Sequence, residues 1–293
     1  MQDLTLALLL GAILLFLSSP VRTLLRARLQ ATPVLLLPVP AILTAVFAGA
    51  AAISNASSVP LILLVSGYTV APVLCAYVQG AGFIERPTAF DFVSILLIWL
   101  PLEFAAGHQL VPKPAQGFLH SVAYGIAILL GLVLFLCFRS FPGVKYNLPS
   151  HKRDAWLPLA GYAAAAPVLI ALGIAIGFLP LPHLPAQTPG RMAGTFGLIF
   201  VGTALPEEIL FRGLIQNLLM LRYGESARML ITASVIFGCA HLDNGPQPLP
   251  NWRYAILATI AGIAYGKVFQ KASSVLSSAG LHALVDWTKH LFF

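Results

Sequence analysis

The chain has 293 residues, of which 58% are hydrophobic and 9% charged, where a soluble domain carries roughly a quarter charged residues. Such sparse charge cannot clothe a water-soluble globule, and a mean hydropathy of +0.87 excludes a secreted, fibrous, disordered or ordinary cytosolic protein. The formal charge of +7 is spread between apolar runs rather than gathered in one patch, so no nucleic-acid partner is expected.

Apolar runs, many near the length that spans the roughly 30 Å hydrocarbon layer, predict helices over 4–20, 33–54, 60–82, 91–106 and 117–138. After a basic, turn-rich connection from Arg139 to Asp154, further helices are predicted over 155–180, 193–221, 228–242, 252–270 and 273–292. The runs are continuous, whereas a membrane β-barrel shows alternating segments of about ten residues. The expected fold is an all-α, polytopic transmembrane bundle of about 8 to 10 helices. Its partner is the lipid bilayer, the plasma (inner) membrane if the source is prokaryotic.

The acidic start at Asp3 precedes the first run, and Arg22, Arg26 and Arg28 follow it. A cleavable signal peptide has the reverse order, so a retained first helix is expected. With ten crossings and the N-terminus outward, twelve of the 17 Lys and Arg fall on the cytoplasmic side, which favours that orientation. The basic connection divides the chain into residues 1–154, of unassigned role, and 155–293. No internal repeat crosses the divide, which argues against an inverted-repeat transporter. Cys75, Cys137 and Cys239 lie in apolar runs without Cys-x-x-Cys spacing and are expected to be buried small hydrophobes.

Nearly all ionisable residues within predicted helices belong to the second part. Such groups cost a few kcal/mol each at membrane depth unless paired or hydrated. The first cluster is Pro206-Glu207-Glu208, with Arg212 one turn on. Glu208 and Arg212 share a helix face and can pair, while Glu207 points about 100° away. Pro206 lacks an N–H and can loosen the helix there. The second cluster is Phe237 with His241, and the third is His282 with Asp286, again four apart. A Glu–Arg pair can also merely staple helices, and a histidine near a helix end can simply bond at the interface. Three such groups within one stretch point instead to a shared site, although His241 near the outer face and Glu207 and His282 near mid-depth need a kink or tilt to meet. Asp243 and Asn244 are expected to cap the helix or steady the imidazole, and the Pro-rich stretch 245–250 to gate access. Glu103, with Trp99 and Pro101, is expected to be solvated near the interface.

The Glu-Glu-x-x-x-Arg of Glu207, Glu208 and Arg212, the Phe-x-x-x-His of Phe237 and His241, and the His-x-x-x-Asp of His282 and Asp286 resemble the CAAX-protease and bacteriocin-processing (CPBP) family. These are intramembrane proteases and include the type II CAAX prenyl-protein endopeptidases. The resemblance covers about residues 193–290. It implies an endopeptidase cleaving near the C-terminus of a membrane-anchored protein or peptide, lipidated in some members and not in others. It further implies that Glu207 is the general base and that His241 helps to hold and deprotonate the water. His282 and position 286 would form the oxyanion corner, and Glu208 and Arg212, with Phe237, would be structural. Position 286 is often Asn in the family, so Asp286 is protonated, orients His282, or helps to bind a cation.

Two histidines and one or two carboxylates also suit Zn²⁺, with Glu207, His241 and His282 as the ligands if a metal takes part. No His-Glu-x-x-His helix is present, and metal-free glutamate catalysis is favoured, with no cofactor. Other classes remain: a non-catalytic scaffold or immunity-type protein of the same fold, or a proton-coupled transporter.

Overall fold

The computed structural model describes residues 1–245 and 247–293, with no strand among them. Among the described residues eleven helices form. Those of the first part are α1 (Gln2–Leu15), α2 (Ser19–Ala31), α3 (Val39–Ile53), α4 (Val59–Tyr77), α5 (Ala89–Glu103) and α6 (113–138, ending in a π-turn). The second part holds α7 (Lys152–Ala175), α8 (189–223), α9 (Ala227–Cys239), α10 (Trp252–Lys271) and α11 (Val275–Phe292). Each of the ten predicted runs contains a helix, and α2 is additional.

The chain forms two units, Met1–Val144 and Lys145–Phe293. The divide precedes the expected boundary at 154 because the connection is bonded into the second unit. Lys145 Nζ donates to the carbonyls of Phe269, Gln270 and Ala272 at 2.8, 3.1 and 2.9 Å. These bonds satisfy the otherwise unbonded end of α10. Asp154 accepts from the Ser273 amide at 2.9 Å and from the Ser273 hydroxyl.

In the first unit, α2 occupies the basic stretch expected to be a loop. Pro20 at its first turn suits helix initiation, and the chain bends by 81° between α1 and α2. The arginines terminate neighbouring helices: Arg22 donates to the carbonyls of Phe16 and Leu17 at 2.7 and 2.8 Å, and Arg26 to that of Leu136 at 3.1 Å. Among the described residues, four helical segments are long and apolar enough to cross a membrane: Pro33–Ile53, Val59–Tyr77, Lys113–Phe138 and Lys152–Ala175. The bent α1–α2 pair would make a fifth. By length and composition alone, fewer helices meet that test than the ten expected crossings. The helices α5 and α9 are short, and α8, α10 and α11 carry the ionisable residues. Cysteine burial is corrected: Cys137 is buried, Cys75 half-buried and Cys239 exposed.

In the second unit, α11 packs against α7, α8 and α10, while α9 lies along α10. Side-chain caps start three of these helices: Ser226 accepts from Met229 N at 3.4 Å, Asn251 from Tyr254 N at 3.1 Å and Ser274 from Leu276 N at 3.2 Å. Each satisfies a backbone donor left open by the first turn. Helix α8 ends where Gly224 takes φ +89°, a conformation that L side chains resist. Along α8, π-turns at Phe200–Ala204 and Ile209–Gln216 flank the short α-helical segment Leu205–Glu208. Pro206 cannot donate to the carbonyl one turn back, so the ladder is interrupted where the two glutamates project.

Candidate active site

Glu208 and Arg212 face the interior of the unit from α8, each 0 % exposed. Arg212 Nε donates to Glu208 Oε2 at 3.2 Å, and its guanidinium lies 4.8 Å from the centre of the Phe237 ring. The other Glu208 oxygen receives His282 Nδ1 from α11 at 3.1 Å. Glu208 thus joins Arg212 to His282.

The second nitrogen of His282 faces two more carboxylates. Nε2 lies 3.4 Å from Asp286 Oδ2 and 3.8 Å from Glu207 Oε2. The imidazole stacks on Tyr265 with ring centres 4.6 Å apart and planes tilted by 20°. With acceptors on both sides, the imidazolium form donates from both nitrogens. One imidazolium and one guanidinium then stand among three carboxylates, leaving one net negative charge. Glu207 and Asp286 have side chains 21% and 27% exposed, in contrast to the sealed Glu208.

His241 sits in the turn that follows α9. Its Nδ1 is 2.8 Å from the carbonyl oxygen of Phe237. A carbonyl only accepts, so Nδ1 carries the proton and Nε2 presents a lone pair. The ring meets Phe237 and Tyr254 edge to face at 4.7 and 4.5 Å. Phe237 also meets His282 at 5.7 Å, so one phenyl ring is the common wall for both imidazoles. Asn244 caps α9 through the Ala240 carbonyl at 3.2 Å, and Asp243 is exposed. Phe237 and Tyr254 therefore do the steadying expected of Asp243 and Asn244.

A small cavity of about 70 Å³ is bounded by His241, His282, Tyr254 and Asp286. A wider one of about 540 Å³ is lined by Thr203, Tyr254, Asp286 and Lys289. Thr203 lies one turn before Glu207 on α8. In the adjoining connection Pro246 is outside the described residues, while Asn251 Nδ2 holds the Asn244 carbonyl at 2.8 Å and Gln247 Oε1 at 2.9 Å. In the first unit, Trp99 donates to Glu103 at 2.9 Å.

The structure therefore gathers Glu207, Glu208, Arg212, His282 and Asp286 directly, and His241 across Phe237. Sequence reasoning missed Tyr254, Tyr265 and Lys289. The two tyrosines lie about three turns apart on one face of α10, a spacing that was readable but gave no sign of which histidine each would meet. Among the described residues, no group of three or more His, Cys, Asp or Glu is arranged to hold a metal ion. Each nitrogen of His282 already faces a carboxylate, and His241 Nδ1 is engaged by a carbonyl. The set Glu207, His241 and His282 thus does not fit a shared tetrahedral ion in this arrangement.

Residues 189–288 match the family model described as Rce1-like, type II CAAX prenyl endopeptidase Rce1-like. This is the family to which the three motifs pointed. The matched segment takes in α8, α9, α10 and most of α11, and none of the first unit. No curated protein and no solved structure is matched by the chain.

Proposed function

From the match of residues 189–288 to the Rce1-like family of type II CAAX prenyl endopeptidases, we propose that the protein is an intramembrane endopeptidase. In this reading it cleaves near the C-terminus of a membrane-anchored protein or peptide, using a water activated by Glu207. The observation that carries the proposal is the position of His282, clamped by Glu208 on one nitrogen and turned toward Glu207 and Asp286 with the other.

The division of labour follows from exposure and charge. Glu207, partly exposed where Glu208 is sealed, takes a proton from water as the water oxygen bonds to the scissile carbonyl carbon. His241 Nε2, an acceptor, holds the second hydrogen of that water. The carbonyl electrons move to oxygen, and the His282 imidazolium stabilises the charge that develops there. When the C–N bond breaks, the proton held by Glu207 passes to the leaving amine. Asp286, bonded to His282 rather than free to meet the substrate oxygen, orients the imidazolium, which is the second of the three roles open to an aspartate at this position.

The test compares the C-termini of membrane proteins in cells carrying the wild-type protein or Glu207→Gln at matched expression. A general base is worth about 10²- to 10⁴-fold, so a defined set of proteins should keep its C-terminal tail only in the variant. If no terminus differs between the two, the peptidase reading falls and a scaffold role takes its place.

A further inference from the structure

One charged group of the cavity takes no part in the chemistry just described. Lys289 lies one turn beyond Asp286 on α11 and borders both the small cavity and the wider one. Its Nζ is 4.3 Å from the centre of the Tyr254 ring and 5.1 Å from that of Phe178. These two rings are themselves 5.0 Å apart, and the ammonium lies beside both. Among the described residues, no carboxylate lies within ion-pair distance of Lys289, and Asp286 has turned its Oδ2 to His282 instead.

A lysine that merely snorkels runs its stem along apolar surface and leaves its head in open water. Here the head rests against two adjoining aromatic rings in the cavity wall. Aromatic faces attract a cation without neutralising it, so the ammonium remains a receptor for an anion. The anion that a peptide brings is a carboxylate. From His282 to Lys289 is roughly 10 Å along the helix, the reach of about three extended residues.

Resting on the peptidase reading, we propose that Lys289 is a specificity-determining residue that receives a carboxylate of the substrate a few residues beyond the scissile bond, with Phe178 and Tyr254 fixing the ammonium. The shared chemistry is a carboxylate on the departing segment, borne by its chain terminus or by an acidic side chain.

The test uses the full chain in lipid nanodiscs with Glu207→Gln, so that a bound peptide is not consumed. The probe is an N-myristoylated, dansyl-labelled decapeptide made as the free acid, as the carboxamide, and as a carboxamide whose last residue is Glu. Binding is read by fluorescence anisotropy. The free acid should bind about tenfold or more tightly than the carboxamide, with that ratio collapsing toward one in Glu207→Gln/Lys289→Met and largely kept in Glu207→Gln/Lys289→Arg. Recovery of affinity by the terminal Glu would identify a side-chain carboxylate as sufficient, and no recovery would identify the chain terminus.

Equal binding of acid and carboxamide with Lys289 intact, a ratio unchanged by Lys289→Met, or no binding of either form would each overturn the proposal. The same peptides offered to the protein with Glu207 intact test the peptidase reading separately, and the acid preference should then reside in KM rather than kcat. Acid-selective binding without cleavage would remove the peptidase and leave the carboxylate site standing. Cleavage without acid preference would do the reverse.

Discussion

Two adjacent glutamates have opposite surroundings because of their places on one helix. Glu208 is sealed and holds Arg212 with one oxygen and His282 with the other, whereas the Glu207 side chain is 21% exposed and lies 3.8 Å from the other nitrogen of His282. Neutralising Glu208 would leave the buried Arg212 without its counter-ion and His282 with only the carboxylates at its other nitrogen. Removing one partner of a buried pair costs about 3–5 kcal/mol, so Glu208→Gln should depress the unfolding transition of the detergent-solubilised protein by that order. Glu207→Gln should move the same transition by less than about 1 kcal/mol while abolishing turnover. If both variants unfold alike, the separation of structural from chemical carboxylate is wrong. The helical offset between neighbours made this division legible, since only one of the pair can align with Arg212. The capture of His282 by Glu208 was not legible, because the bond joins residues 74 positions apart.

At the scale of elements, the position of His241 depends on how closely α9 lies on α10. A methyl group at Gly238 would overlap the Thr259 hydroxyl and stand 2.5 Å from the backbone carbonyl oxygen of Ala255. Backbone cannot step aside as a flexible side chain can, and overpacking typically costs about 1–3 kcal/mol. Gly238→Ala should therefore destabilise the protein by that amount and push His241 away from Tyr254, lowering turnover. Gly194→Ala on α8 is the matched control. A methyl there meets nothing within 4 Å, and relief of glycine's chain entropy should leave stability unchanged or raised by up to about 1 kcal/mol. Thermal unfolding of the two variants side by side checks both expectations. A loss at Gly194 equal to that at Gly238 would show that the α9–α10 contact is not special. The boundaries of these helices were readable from hydropathy to within a few residues. The π-turns around Pro206 were not, since proline marks an interruption without specifying how the helix accommodates it.

At the scale of the whole molecule, the bend between α1 and α2 changes how the N-terminal segment meets the bilayer. Helix α2 carries Arg22, Arg26 and Arg28 within 13 residues and is bent by 81° from α1, as suits a basic helix lying in the interface rather than crossing the bilayer. Single cysteines at Thr23 and Arg28, in a protein lacking its native cysteines, should react with a membrane-impermeant maleimide from one and the same side. A cysteine at Ala45 on α3 should stay unlabelled from both sides. Labelling of Thr23→Cys and Arg28→Cys from opposite sides would make α2 part of a crossing instead.

The amino-acid order by itself determined that the protein is a helical membrane protein and where most of its helices run. It also marked the stretch in which the ionisable residues of the helices gather. The free energy of moving a segment from water to lipid is nearly additive along the chain, and a charge in an apolar run stands out without knowledge of any neighbour. Only the tertiary structure decided that α2 is a helix, because its arginines find the carbonyls at the ends of α1 and α6. It alone showed that Asp286 leans on His282, that His241 presents Nε2, and that Lys289 stands beside the cavity with two aromatic rings and, among the described residues, no carboxylate within ion-pair distance. Those outcomes depend on which side chains meet across helices, a matter of packing geometry to which hydropathy is blind.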